Sequence, residues 1–141
     1  MKTILLAEDN QDDAYFIKNV IEDADIPHSL IHVTDGAAAI DYLAAARDFA
    51  GRMANPVPDL VFLDIKMPKR NGLEVLEWIR AQPAFEHLPV IMLTNSGDHR
   101  DTDRAHGLGV TSYLVKDADP SELAVGVRII LKYWLFANVM S

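Results

Sequence analysis

Five residues able to do chemistry stand directly behind short apolar runs. Glu8 and Asp9 follow Thr3–Ala7, Asp64 follows Leu60–Leu63, Thr94 follows Val90–Leu93, and Lys116 follows Ser112–Val115. Carboxylates gathered at one place repel one another unless a cation lies among them. Their oxygens are hard ligands that suit Mg²⁺, which takes one or two carboxylates together with water and a phosphate. A hydroxyl and an amine beside such an ion can hold an anion. A carboxylate nucleophile, a divalent ion, a lysine and a hydroxyl are the parts needed to move a phosphoryl group onto an aspartate. Each residue taken singly has a plainer use: a loop start for Glu8–Asp9, a cap or turn for Asp64 and Thr94, a solvated charge for Lys116. Their shared placement at the ends of apolar runs sets them apart.

Those runs alternate with segments of helical period. Ile17, Val20, Ile21 and Ala24 form one stripe, with Asp12 or Asp13 as the expected cap and Pro27 as the stop. Ser29–Val33 reads as a weaker strand. A helix from Gly36 is expected to face inward through Ile40, Leu43 and Ala44. Leu73–Gln82 reads as a helix with Val75, Leu76 and Ile79 inward, Asp98–Leu108 as a helix poor in apolar residues, and Pro120 as the first-turn residue of the last helix. Continuous apolar strands between helices imply a parallel sheet covered on both faces. Right-handed crossovers then bring the C-terminal ends of all strands to one edge, where such folds bind ligands. Arg47–Asp59 is the long connection, and it reads as a loop within one α/β domain.

Composition narrows the function. Half the 141 residues are hydrophobic and the formal net charge is −8, which disfavours a nucleic-acid binder or a protein docked on anionic lipid. Cysteine is absent, so disulfides and thiol chemistry are excluded, in keeping with a cytoplasmic protein. The apolar N-terminal run is too short for a signal peptide, and Arg128 and Lys132 interrupt the C-terminal one, so no membrane span is expected.

The strings ILLAEDN, DLVFLDIKMPKRNGLEVL, VIMLTNS and SYLVKD make the sequence resemble the receiver domain of two-component response regulators, the CheY-like fold, over essentially the whole chain. The resemblance implies a doubly wound, flavodoxin-like sheet of five parallel strands in the order 2-1-3-4-5 with five helices, and a stand-alone receiver over residues 1–141 without an output domain. It implies Asp64 as phosphoacceptor, Glu8 and Asp9 with Asp64 and the Lys66 backbone carbonyl around Mg²⁺, and Thr94 and Lys116 on the phosphoryl oxygens. Tyr113, paired with Thr94, matches the aromatic switch position. The Lys66 side chain falls where the family faces the phosphoryl group, and Asp117 stands where the family usually has proline. The Arg47–Asp59 loop and the ending KYWLF resemble single-domain regulators that partner phytochrome-type histidine kinases.

The expected function is therefore a phosphorelay switch, not an enzyme acting on a separate substrate. The alternative is a Mg²⁺-dependent phosphatase or phosphotransferase with an aspartyl nucleophile; Lys66 stands where such enzymes commonly carry a second aspartate. A flavin-binding module would need a phosphate cradle after the first strand, and AEDNQDD is acidic and lacks glycine. A scaffold that takes no phosphate would not need the five site residues. In the last helix, Leu123, Val127, Ile130, Leu131 and Trp134 form an expected core stripe. Ile129, Tyr133, Phe136 and Met140 form a second stripe, expected to pair two copies as a homodimer.

Overall fold

The computed structural model describes residues 1–95 and 97–136, the side chain of Phe136 excepted. Strands β1 (Lys2–Ala7), β2 (His28–Val33), β3 (Leu60–Asp64), β4 (Val90–Thr94) and β5 (Ser112–Val115) alternate with helices α1 (Gln11–Asp23), α2 (Gly36–Leu43), α3 (Gly72–Ala81), α4 (His99–Gly107) and α5 (Pro120–Leu131). The sheet is parallel throughout, in the order β2-β1-β3-β4-β5. This is the expected doubly wound architecture.

Successive strand residues point to opposite faces, and this divides the interior in two. Leu5, Ala7, Val61, Leu63, Val90 and Met92 pack under α2, α3 and Ala105 of α4. Ile4, Leu6, Leu60, Phe62, Ile91 and Leu93 pack under α1 and α5. The central strands are buried on both faces, which is why they read as unbroken apolar runs. The edge strands β2 and β5 are only partly covered.

Three local expectations need correction. Asn10, not Asp12 or Asp13, caps α1: its side chain accepts the Asp13 N–H at 2.9 Å. The buried face of α2 runs through Ala39, Tyr42 and Leu43, while Ile40 is half-buried and Ala44 exposed. Tyr42 sets this rotation by donating its hydroxyl to Pro56 O at 2.7 Å and meeting Phe49 edge to face. Arg52 then closes the loop onto the helix end, donating to the carbonyls of Tyr42, Leu43 and Asn55. In α5 the buried line is Leu123, Ala124, Val127 and Leu131, continued by Leu135 in a π-helical turn over Lys132–Phe136. Ile130 and Trp134 lie half-buried at its flank. Among the described residues no helix is long and apolar enough to cross a membrane.

A tight turn and a helix cap fix the end of β3. The Gly72 N–H donates to Ile65 O at 2.7 Å. A Cβ at Gly72 would lie 2.3 Å from Asp64 O and 2.8 Å from Ile65 Cα. The helix can start this close to Asp64 only because residue 72 has no side chain, and Asn71 with Glu74 completes a capping box there. Gly72→Ala is expected to destabilise the fold by about 1–3 kcal/mol through overpacking. Urea unfolding with an unchanged slope checks this, and a wild-type midpoint would contradict it.

Candidate functional site

Parallel register brings the C-terminal ends of β1, β3, β4 and β5 to one sheet edge. Asp64 is level with Leu93, and Thr94 with Val115, so Asp64, Thr94 and Lys116 sit on neighbouring strands or just past their ends. Glu8 follows β1, which is paired with β3. Glu8 is 0% exposed and Asp64 3%; Asp9 is exposed at the mouth. Carboxylate oxygens of Glu8, Asp9 and Asp64 all lie within 4.8 Å of one another.

Lys116 is the cation that holds this group together. Its Nζ donates to Glu8 Oε1 at 2.8 Å and lies 3.0 Å from Asp13 Oδ2 and 3.3 Å from Asp64 Oδ1. The other Glu8 oxygen accepts the Asn10 N–H at 3.1 Å. His32 Nε2 meets the Glu8 backbone carbonyl at 2.9 Å, fixing the peptide that leads to Asp9. Asn10, Asp13 and His32 were not among the expected site residues. Asp13 carries a sequence signal, since it lies four residues after Asp9 in AEDNQDD; His32 carries none, because its contact depends on β2 pairing.

The electrostatics follow from burial. Desolvation pushes the Asp64 carboxyl up to about 8, aided by a hydrogen bond to Glu8 and by its charge; Lys116 opposes the rise. Burial alone would lower Lys116, but its bonds to Glu8 and Asp13 and the charge of Asp64 hold it above the ordinary lysine value. Without a cation, burial and the neighbouring carboxylate therefore favour the protonated form of Asp64. Hard oxygen donors at this spacing fit a divalent cation, whose charge would favour the ionised carboxylate.

The remaining expected residues are close by but differently engaged. The Thr94 hydroxyl is buried and donates to Asn95 O at 3.4 Å. Lys66 lies in the turn after β3, and its exposed ammonium pairs with Asp98 Oδ2 at 3.5 Å. Tyr113 is 42% exposed, with its ring edge to face against His106 at 5.7 Å. Among the described residues every peptide bond is trans, Lys116–Asp117 included.

Comparison with known proteins agrees with this geometry. The model of the response regulator receiver domain matches residues 4–128, and the chain belongs to that family. It is 34% identical to the response regulator Rcp1 of Synechocystis sp., over 95% of this chain and 89% of that protein. The Mn²⁺-bound crystal structure of Rcp1 superposes with a TM-score of 0.86 over 96% of each chain. The phosphorylated cyanobacterial phytochrome response regulator RcpA superposes at 0.88, with 34% identity over 96% of this chain and 95% of that one. RPA3017, a response regulator in red light signalling of R. palustris, superposes at 0.86 with 32% identity, over 96% of this chain and 95% of that one.

The raised Asp64 pKa has a measurable consequence. Its folded value of about 8 exceeds the ordinary 3.8, so the folded state holds the extra proton. The stabilisation is complete below pH 4 and is lost as pH rises through 8. Asp64→Asn removes a charge that must otherwise be buried. Without divalent cation the variant is expected to melt about 2–6 °C above wild type at pH 8.5, and the difference is expected to shrink towards pH 5. Thermal melts in chelator at the two pH values check it; a gain independent of pH contradicts it.

Proposed function

We propose that the protein is the phosphoacceptor of a two-component phosphorelay, with Asp64 as the residue phosphorylated. One observation carries the reading: a nearly fully buried Asp64 carboxylate lies 3.3 Å from the Lys116 ammonium and within a three-carboxylate cluster open at Asp9. An Asp64 oxygen attacks the phosphorus of a kinase phosphohistidine. The P–N bond breaks, and its electron pair stays on the imidazole. Glu8, Asp9, Asp64 and the Lys66 backbone carbonyl would hold Mg²⁺, which when bound supplies positive charge to the phosphoryl oxygens. Rcp1 with Mn²⁺ and RcpA in its phosphorylated form support this assignment. Lys116 is placed to pair with a phosphoryl oxygen, and Thr94 to turn its hydroxyl from Asn95 to another. Tyr113 is the readout: its outward ring moves inward when Thr94 leaves the space behind it. The donor is a sensor histidine kinase in the cytoplasm, of the phytochrome type to which the similar regulators point.

Incubation with acetyl phosphate and Mg²⁺ is expected to add one phosphoryl group by intact mass. Asp64→Asn is expected to add none. Wild-type phosphorylation in that variant would overturn the assignment.

The homodimer belongs to the same proposal. Val125, Ile129 and Tyr133 leave apolar surface exposed along α5 and its π-helical continuation. The Phe136 side chain and Met140, expected in the same stripe, lie outside the described residues. A two-fold pairing would cover this face. Sedimentation at tens of micromolar is expected to show a dimer for wild type and a monomer for the Ile129→Glu, Tyr133→Glu double variant. A monomeric wild type rules the pairing out.

A further inference from the structure

Four of the five helices begin in the same way, and α4 does not. Asn10, Asp35, Asn71 and Asp119 each accept a first-turn N–H through the side chain, from Asp13, Ala38, Glu74 and Ser121 respectively, and each has an extended ψ between 117° and 168°. Asp98 stands at the same position of α4 and is an equally good capping residue. Yet its ψ is 55° and its side chain makes no capping bond. Its carboxylate is engaged by Lys66, 3.5 Å away, across the gap between the β3–α3 turn and α4. The Lys66 side chain is 66% exposed and that of Asp98 27%, so the lysine is free to leave while the aspartate stays.

A second contact ties the same connection to the site. Asn95 O accepts both the Thr94 hydroxyl and the Asp98 N–H. Among the described residues, Lys66 and Thr94 both engage the approach to α4, and both flank Asp64.

We infer that Asp98 is a positioning residue that stores the Lys66 ammonium beside the site and exchanges it for the α4 cap when Asp64 is phosphorylated. The inference rests on the phosphoacceptor reading of Asp64. A phosphorylated carboxylate carries close to two negative charges where the ionised side chain carried one. Lys66 lies two residues from Asp64 on a flexible four-carbon stem. The new charge draws its ammonium from Asp98 to the phosphoryl oxygens. The freed carboxylate then accepts the N–H of Arg100 or Asp101, as the other four caps already do. α4 buries only Ala105, so a cap is a large part of what can hold its first turn.

The test is amide hydrogen exchange at residues 99–102, with and without beryllofluoride and Mg²⁺ as phosphoryl analogue and with occupancy read by fluorine NMR. In wild type the analogue is expected to slow exchange at Arg100 and Asp101 about fivefold, the effect of one added cap. Lys66→Gln removes the charge that engages Asp98, so exchange is expected to be slow before the analogue is added and to change less than twofold on adding it. Asp98→Asn keeps the capping group and loses the charge that holds Lys66; it is expected to behave like Lys66→Gln. Asp98→Ala can do neither, so its exchange stays fast in both conditions. Wild-type exchange in uncharged Asp98→Asn, or a full response in Asp98→Ala, overturns the exchange mechanism. Analogue bound to wild type with no change at α4 overturns it and leaves Asp64 as phosphoacceptor. Absence of bound analogue in wild type overturns both.

Discussion

Lys116 is one ammonium among three carboxylates, and two of them, Glu8 and Asp64, have almost no contact with water. Burying like charges costs several kcal/mol per ion in real proteins, and one cation offsets only part of it. Neutral donors, the Asn10 N–H on Glu8 above all, offset more of it, and the remaining cost holds the Asp64 carboxyl above the usual carboxylate range. The rest of the fold serves to keep these groups where they are. Parallel pairing sets the strand ends level, the capping box on α3 lets that helix start against Asp64, and Gly72 leaves room for it.

The same constraint makes the arrangement sensitive to charge. A group held by balanced opposing charges rearranges when one charge changes, whereas an apolar core does not. The side chains of Lys66 and Thr94, engaged away from Asp64 in this state, and Tyr113, turned outward onto His106, all lie on the β3–α3, β4–α4 and β5 side of the edge. On the other side, Glu8 is fixed by Lys116, Asn10 and His32 together. One flank is held by several bonds to a single group and the other by single contacts.

The strands and the polar residues at their ends are legible because their signals are local. An apolar run followed at once by Asp64, Thr94 or Lys116 needs no tertiary information. The cap of α1 was less legible because AEDNQDD offers several competing acceptors, and backbone geometry chooses Asn10. The face of α2 is not legible in spacing because GAAAIDYL is apolar almost all round, and its rotation is decided by the reach of Tyr42 to Pro56. Spacing marks Asp13 but not its partner, and it leaves no trace of the other contacts between distant elements. The Asp13–Lys116 pair, the His32 bond and the Lys66–Asp98 bridge exist only after the sheet has formed.

At the opposite edge of the sheet, Arg80 spreads its guanidinium over Gly109 O at 2.8 Å, Phe85 O at 3.0 Å, Leu88 O at 2.8 Å and the Thr111 hydroxyl at 3.4 Å. All of these acceptors are neutral. The hold therefore has no titrating partner, and added salt screens it far less than it screens an ion pair at the surface. A fork of five donors suits this task and a lysine does not. The molecule thus keeps its pH- and ion-sensitive chemistry at one end and an anchor indifferent to both at the other. Charge can vary at the first end without loosening the frame that carries it.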